Sequence, residues 1–157
     1  MGDEVSYEAQ AAIELEAIAD AEPDRREKGD YVLQLWDGKT ADAGSAVLRT
    51  DQLWKAILND LWRGVPASRI SARFHAWIAE GFINAAANAR IESGINQVAL
   101  SGGCMHNRRL TRLLRSGLEE EGFTVYTNRL VSTGDGGLSY GQAAVAAAML
   151  QKLKAES

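Results

Sequence analysis

The tripeptide Ser101-Gly102-Gly103 has residue types and a spacing that could form an anion-binding loop. It follows a short apolar run, residues 97–100, and precedes a helical pattern. Glycine tolerates a positive φ and lets the backbone approach an anion without a Cβ in the way. A helix N-terminus adds unpaired N–H groups and a positive dipole end. The tripeptide therefore predicts a phosphate cradle, while spacing alone leaves an ordinary tight turn equally open.

A second candidate is the tetrapeptide Gly134-Asp135-Gly136-Gly137, in which glycines surround one carboxylate. Bare backbone on both sides leaves Asp135 approachable, and a carboxylate is a preferred ligand for cations that bridge phosphates. The alternative is that Asp135 caps the final helix, which is a common role for aspartate. Both interpretations stay open at this point. The spacing of Gly137 and Gly141 favours close packing of that helix.

Other polar residues near these motifs have structural alternatives. Asn107 stands at the start of a helix, where it could cap the helix or reach a nucleotide. His75 is expected to be structural, and His106 is a lone loop histidine. Cys104 has no visibly paired base, so no catalytic residue is assigned. The basic side chains of the helix that follows are expected on its exposed face: Arg108, Arg109, Arg112 and Arg115.

Alternating strands and helices must position these motifs. Residues 97–100 and 123–126 are predicted strands, and residues 107–121 a helix between them. Its inward face carries leucines: Leu110, Leu113, Leu114 and Leu118. This order favours a parallel α/β sheet, whose ligands bind at the carboxyl ends of the strands. Residues 101–107 and 127–137 are therefore expected to be neighbours at one end of the sheet.

The rest of the chain is mostly helical in pattern. Helices are predicted over residues 7–19, 51–63, 68–93 and 138–153, and strands over residues 31–36 and 46–48. Ser6 and Thr50 are expected to cap the first two helices. Asp37-Gly38 predicts a turn between the strands. The alanine-rich last helix is expected to be buried on most sides.

Length, net charge and cysteine content narrow the classes of protein to which the chain could belong. The chain has 157 residues and a formal net charge of −4, which predicts one domain and argues mildly against a nucleic-acid surface. Its single cysteine, Cys104, excludes an internal disulfide and fits a reducing compartment. No apolar run reaches the roughly 18 residues of a membrane span, and no secretion signal opens the chain. We expect a cytoplasmic protein with no membrane and no nucleic-acid partner.

Several strings of residues together carry a family resemblance. Val98-Ala99-Leu100-Ser101-Gly102-Gly103 is followed by Asn107-Arg108, Leu110, Gly122-Phe123, Asp135-Gly136-Gly137-Leu138 and Gly141-Gln142. Upstream lie Tyr7-Glu8-Ala9-Gln10-Ala11-Ala12-Ile13-Glu14-Leu15-Glu16, Asp60-Leu61, Gly64 and Arg73-Phe74-His75. In this order, and over nearly the whole chain, these strings resemble the C-terminal region of HypF-type carbamoyltransferases.

The resemblance implies one lobe of the ATPase fold of actin, sugar kinases and Hsp70, with a mixed sheet flanked by helices, as a single domain over residues 1–157. It implies that ATP lies at a set of five residues: Ser101, Gly102, Gly103, Asn107 and Gly136. It also implies that Asp135 is a ligand of a divalent metal ion. The metal would be shared with a lobe that the chain lacks.

The chain departs from the family in two respects. It has Cys104-Met105-His106 where the family commonly has Val-Phe-Gln. The family's other metal ligands are two histidines spaced H-x-x-x-H in an upstream lobe, a pair that His75 and His106 cannot form. The resemblance therefore implies a C-terminal fragment of a longer enzyme, half of a two-lobed site and inactive alone.

The implied reaction uses ATP and carbamoyl phosphate to form carbamoyl-adenylate. The carbamoyl group then passes to a cysteine thiolate of a HypE-type acceptor protein during nickel-iron hydrogenase maturation. Two alternatives stay open: an enzyme like the related tRNA threonylcarbamoyl transferases, and a non-catalytic nucleotide-binding scaffold domain. The acidic net charge and the helix over residues 7–16 favour the hydrogenase-type member over the tRNA enzyme.

Overall fold

The computed structural model describes residues 4–23, 26–33, 35–36 and 47–155. In chain order these ranges contain α1 (Gln10–Ala19), β1 (Leu35–Trp36), β2 (Val47–Leu48), α2 (Asp51–Trp62), α3 (Ala67–Ser93), β3 (Gln97–Leu100), α4 (Arg108–Glu120), β4 (Thr124–Thr127) and α5 (Leu138–Ala155). Single turns of 3-10 helix lie at Gly103–His106 and Asp135–Gly137. The described part of the chain is α/β, as predicted.

The larger hydrophobic core lies where α3 and α4 pack together and against the β3–β4 pair. Four leucines of α4 are buried in it, none more than 8% exposed: Leu110, Leu113, Leu114 and Leu118. Their spacing places them on one face of the helix, and each contributes roughly 1.5–3 kcal/mol when fully buried. Ala79 and Ile83 of α3 face them. The predicted inward face of this helix is confirmed.

Strands β3 and β4 are parallel, with Val98 opposite Val125. Because side chains alternate across a strand, Val98 and Val125 pack on the core while Ala99 and Tyr126 are exposed on the other face. The parallel arrangement confirms the prediction. It also brings the carboxyl ends of both strands to one edge, where the first glycine motif follows β3 directly and the loop that leads to the second follows β4.

A second, smaller core surrounds Trp77 of α3, together with Tyr31 and Leu53. Beside it, the buried Asp60 carboxylate accepts a hydrogen bond from the Tyr31 hydroxyl at 3.0 Å and pairs with Arg73 Nη1 at 2.7 Å. Burial, followed by the hydrogen bond to Asp60, raises the pKa of Tyr31. Burial of a carboxylate is costly without such partners. Through these contacts, Asp60 links α2 to Arg73 of α3 and to Tyr31 in the segment before β1.

The predicted strand over residues 31–36 is shorter in the structure. Among its described residues, only Leu35 and Trp36 pair as a strand, antiparallel to Val47–Leu48. The Val32 carbonyl, which a longer strand would offer to a neighbour, accepts a hydrogen bond from the Trp77 indole at 2.9 Å. The predicted turn at Asp37-Gly38 lies outside the described residues.

Of the two helix caps predicted in the first half of the chain, Ser6 is wrong and Thr50 is correct in position only. The Ser6 N–H and hydroxyl donate to Gln10 Oε1 at 2.7 and 3.0 Å, so Ser6 serves the side chain of Gln10 rather than the helix backbone. The residue before α1 is Ala9, with a φ of 64°. Thr50 precedes α2 without a capping hydrogen bond from its side chain.

The last helix, α5, is exposed rather than buried. Among its apolar side chains Leu138 is 62% and Met149 63% exposed. Within the described residues its main contact is the 3-10 turn that precedes it, and no other described element covers its alanine-rich surface extensively. The prediction of burial on most sides is wrong. No described helix combines the length and the apolar character needed to span a membrane.

Gly117 offers a test of the α3–α4 packing. A Cβ there would overlap Ile83 Cδ1 and lie 2.8 Å from Arg26 Nη1. We expect Gly117→Ala to lower the free energy of unfolding by about 1–3 kcal/mol, because overpacking outweighs the better helix propensity of alanine. Urea unfolding measures the change.

Gly141 of α5 is the matched control, since a Cβ there would meet nothing within 4 Å. Gly141→Ala should leave stability unchanged or raise it by up to about 1 kcal/mol. Equal stability of the two variants would show that α3 and α4 are not tightly packed at Gly117.

Candidate functional site

The two glycine motifs contact each other at the carboxyl ends of β3 and β4. The Gly102 N–H donates to the Thr133 carbonyl oxygen at 2.8 Å. Beside this bond the His106 imidazole lies against Gly134, where an added Cβ would come within 2.9 Å of Nε2. The prediction that residues 101–107 and 127–137 are neighbours is confirmed.

Gly102 makes the turn of the first loop, with a φ of 100° that few L-residues adopt. Gly103, by contrast, begins the 3-10 helix without a positive φ. A Cβ at either glycine would meet nothing within 4 Å, so this side of the loop is open. The Gly103 and Cys104 N–H groups donate to no other described residue. They are the amides that the loop can offer to an anion.

The N-terminus of α4 is already occupied by groups of the protein itself. Glu16 Oε1 accepts hydrogen bonds from the backbone N–H groups of Arg108 at 2.7 Å and Arg109 at 3.2 Å. Asn107 Oδ1 accepts from the Leu110 N–H at 2.8 Å. Glu16 thus supplies the negative charge that this helix end favours. The expectation that α4 offers unpaired N–H groups to a phosphate is wrong. The predicted phosphate cradle therefore consists only of the backbone N–H groups of the loop.

Asn107 has partners at both ends of its side-chain amide. Its oxygen caps α4, and its Nδ2–H donates to His75 Nε2 at 2.9 Å. His75 is 3% exposed, and its Nδ1–H donates to the Ser71 carbonyl at 2.8 Å. Burial is the main cause that lowers the pKa of His75. The capping role of Asn107 and the structural role of His75 are confirmed, and a nucleotide contact of Asn107 stays a prediction.

Arg109 is buried, contrary to expectation, at 1% exposure. It lies four residues before Leu113 and therefore on the core-facing side of α4. Its guanidinium donates to the carbonyls of Ala19, Glu22 and Pro23 at 2.8, 3.0 and 2.7 Å. These carbonyls lie at and just beyond the end of α1, where helix carbonyls lack internal partners. The other three arginines are exposed, as predicted: Arg108, Arg112 and Arg115.

Asp135 is exposed at the first position of its 3-10 turn. No hydrogen bond or ion pair joins its carboxylate to another described residue. The alternative that it caps the final helix therefore has no support in the structure, because α5 begins only at Leu138. Gly137 is required for packing, since a Cβ there would overlap the Ser132 carbonyl oxygen. The close packing predicted for this helix holds at Gly137 but not at Gly141.

An open cavity of about 540 Å³ lies between the two loops and α5. Its polar lining includes Ser101, Ser132 and Thr133, and α5 supplies an apolar wall with Val145 and Met149. The hydroxyl of Thr133 is buried without a partner among the described residues. The volume falls within the range of small-molecule sites, and the mixed lining suits a ligand with one flat apolar part and one polar part.

Within the described residues, no group of three His, Cys, Asp or Glu side chains could hold a metal ion. A divalent cation at Asp135 would need further oxygen ligands from elsewhere. Gly136 is adjacent and leaves ordinary space, with Ser132 Cβ 3.5 Å from an added Cβ. The metal at Asp135 and the nucleotide contact of Gly136 stay predictions.

The contacts of Glu16 and Thr133 are not predicted by the sequence pattern. Glu16 is an acidic residue on a helix with no assigned contact in the sequence analysis, yet its carboxylate accepts hydrogen bonds from the N-terminus of α4. The one usable signal was its place in the string of residues 7–16 that carries the resemblance. Thr133 acts through its backbone carbonyl, which no pattern of side chains reports.

The chain matches the family model described as carbamoyltransferase, Kae1-like domain, second subdomain, over residues 1–142. It is similar to the carbamoyltransferase HypF homolog of Cupriavidus necator, with 39% identity over 148 residues that cover 89% of this chain and 35% of that protein. Similarity to the carbamoyltransferase HypF of Rhizobium leguminosarum bv. viciae amounts to 36% identity over 141 residues, covering 89% of this chain and 17% of that protein.

Among solved structures, the chain resembles full-length HypF in its phosphate- and nucleotide-bound form, with a TM-score of 0.80 and 36% identity. The match covers 95% of this chain and 18% of that one. The chain thus spans about a third of one curated relative and less than a fifth of the other relative and of the solved structure.

Proposed function

The chain belongs to the HypF carbamoyltransferase family, and we propose that it forms the nucleotide-binding half of a carbamoyltransferase active site. In the full-length enzyme, carbamoyl phosphate loses its phosphate, and the resulting carbamate displaces pyrophosphate from ATP to give carbamoyl-adenylate. The carbamoyl group then passes to a cysteine thiolate of a HypE-type acceptor protein during nickel-iron hydrogenase maturation, and AMP leaves. We assign this activity to the cytoplasm, because the exposed free thiol of Cys104 fits a reducing compartment.

The observation that carries the proposal is the hydrogen bond between Gly102 and Thr133, which joins the two glycine loops at the carboxyl ends of parallel strands. Ligands of open α/β sheets bind at such an edge. The solved relative with a TM-score of 0.80 was crystallised with phosphate and nucleotide. Together these points favour one lobe of the actin, sugar kinase and Hsp70 type of ATPase, with β3 and β4 as part of its larger mixed sheet.

In this proposal the loop binds the phosphates of ATP and the cavity binds its nucleoside. The Gly103 and Cys104 amides donate to phosphate oxygens, because they donate to no other described residue and the loop has open space beside Gly103. Ser101 and the loop that contains Thr133 supply polar groups, and the apolar wall of α5 lies beside the base. Asn107 flanks the loop and fixes its junction with α4.

Asp135 is suited to hold one side of a divalent cation. Its exposed carboxylate has no partner among the described residues, and Gly136 beside it carries no side chain that could cover it. The remaining ligands come from the other lobe, since the described residues contain no group of three. When bound, the cation neutralises negative charge on the phosphates.

Gly103→Val tests the phosphate cradle. Gly103 has no positive φ and an added Cβ meets nothing within 4 Å, so the fold should accept valine. The branched side chain would fill the space in front of the loop amides. We expect ATP affinity in the full-length enzyme to fall by about 10–100-fold, corresponding to one or two lost hydrogen bonds to a charged group.

Calorimetric titration with ATP measures this effect, and the melting temperature of the same sample reports the fold. Gly103→Ala, with its smaller side chain, should fall between wild type and Gly103→Val. If Gly103→Val binds ATP as tightly as wild type, the loop is only a tight turn.

A further inference from the structure

The buried histidine of α3, His75, has no role in the function proposed above. His75 has no described contact with the open side of the glycine loop, yet it is joined to that loop through one residue, Asn107. Asn107 ends the 3-10 helix, where its N–H donates to the Cys104 carbonyl at 3.1 Å. The same residue begins α4, where its side chain caps the Leu110 N–H. A displacement of Asn107 therefore moves the loop and the helix together.

The hydrogen bonds of Asn107 and His75 determine the orientation of the Asn107 amide and the protonation state of the His75 ring. The Asn107 oxygen faces the Leu110 N–H at 2.8 Å, so the nitrogen of the amide must face His75. An amide nitrogen only donates, so His75 Nε2 must accept. The Ser71 carbonyl only accepts, so Nδ1 must carry the proton. The ring is thus the neutral Nδ1–H tautomer.

We infer that His75 is a positioning residue for the glycine loop, which it holds through Asn107 only while its ring is neutral. A protonated ring would present Nε2–H to the Asn107 nitrogen, and two donors would meet. Rotation of the amide would restore that contact, but it would turn the nitrogen toward the Leu110 N–H and break the cap. Either response loosens the junction between the loop and α4.

The surroundings of His75 agree with a neutral ring. Burial is the main cause that opposes a charge on the ring, and Arg109 of α4 adds to it. The hydrogen bond to the Ser71 carbonyl favours the charged ring, as do Glu16 and Asp20 at the α1 side, and these effects only partly offset burial. The folded pKa is lowered, so the unfolded chain binds the proton more readily. Stability is therefore complete above the ordinary histidine pKa of about 6.5 and is lost as pH falls from there toward the folded pKa.

Nuclear magnetic resonance of the 157-residue chain tests the inference directly. In wild type at pH 7.5 we expect the ring nitrogen shifts of a neutral Nδ1–H tautomer, and an Nε2–H tautomer or a charged ring would overturn it. In a His106→Gln background, which removes the other loop histidine, the Gly103 and Cys104 amides should titrate with the same midpoint as His75. Amides that do not follow His75 would also overturn it.

Two substitutions separate positioning from packing. His75→Phe keeps the ring volume but removes the acceptor, and His75→Gln offers an acceptor without a titrating group. We expect hydrogen exchange of the Leu110 N–H to rise about tenfold in His75→Phe, as for one lost hydrogen bond, and to return toward wild type in His75→Gln. Equal exchange in both variants would reduce His75 to a packing residue.

The consequence for ligand binding rests on the proposed function. ATP should shift the Gly103 and Cys104 amide signals in wild type and in His75→Gln, and shift them less in His75→Phe. If wild type shows no ATP-dependent shift at these amides, the proposed nucleotide site fails while the tautomer and exchange results still decide the role of His75. If His75→Phe responds to ATP like wild type, the positioning role is wrong although the nucleotide site stands.

Discussion

Arg109→Met is expected to lower the free energy of unfolding by about 3 kcal/mol or more. The guanidinium is 1% exposed and donates to three backbone carbonyls at the end of α1. Methionine fills much of the volume but removes the donor from all three carbonyls. The Ala19 carbonyl keeps the Glu22 N–H at 2.9 Å, whereas the Glu22 and Pro23 carbonyls keep no other described donor. Each buried group left unpaired costs about 1–3 kcal/mol. Part of that cost is relieved where water reaches the site, so the sum stays below the maximum. Chemical denaturation followed by circular dichroism measures the loss.

Two further variants isolate the cause. Arg109→Lys keeps the charge but not the planar fork, so it should recover only part of the stability. Arg108→Met changes the exposed neighbour, whose backbone N–H still reaches Glu16, and should alter stability by less than about 0.5 kcal/mol. If Arg109→Met is as stable as Arg108→Met, the contact between α1 and α4 does not depend on the guanidinium.

The sequence predicted the region around α4 well because local rules agree there. Leucines at helical spacing define one buried face, Asn107 provides a cap, and glycine marks both ends of the segment. The parallel strands followed from the order of elements. The meeting of the two loops followed in turn, since carboxyl ends of parallel strands lie at one edge.

Long-range polar contacts could not be predicted in the same way. Arg109 and Glu16 are charged residues on helices, and a one-dimensional pattern assigns such residues to solvent. Their burial or pairing depends on carbonyls and N–H groups more than 80 residues away in the chain, including the Arg109 contact with Pro23. Backbone groups carry no signature in the side-chain pattern.

The burial of α5 was mispredicted for a related reason. An apolar, alanine-rich composition indicates that a helix can be covered on many sides, but it does not say which element covers it. In the described residues the main contact of α5 is the preceding turn, and its large apolar side chains stay largely exposed. The same applies to Asp135, whose predicted role depends on ligands outside the described residues.

Asp135→Asn is expected to remove bound metal from the full-length enzyme and to lower carbamoyl transfer by at least about 100-fold, in the range seen when one electrostatic contact to a transition state is lost. The substitution keeps the shape of the side chain and removes only its charge. Because the carboxylate has no described partner, little stability should be lost. We expect the free energy of unfolding to change by less than about 0.5 kcal/mol.

Metal content, transfer to the acceptor cysteine and melting temperature should be measured on one sample of each variant. Asp51→Asn is the matched control: it is another exposed aspartate in the first turn of a helix, where it accepts a hydrogen bond from Arg49 at 3.0 Å. We expect Asp51→Asn to keep the metal content and the transfer activity of wild type. A helix-capping role for Asp135 predicts the same for Asp135→Asn, because asparagine caps about as well as aspartate. If Asp135→Asn binds as much metal as wild type and transfers carbamoyl at the wild-type rate, Asp135 is not a metal ligand. If metal content and transfer activity both fall while the melting temperature stays constant, the charge of Asp135, and not the fold around it, holds the cation.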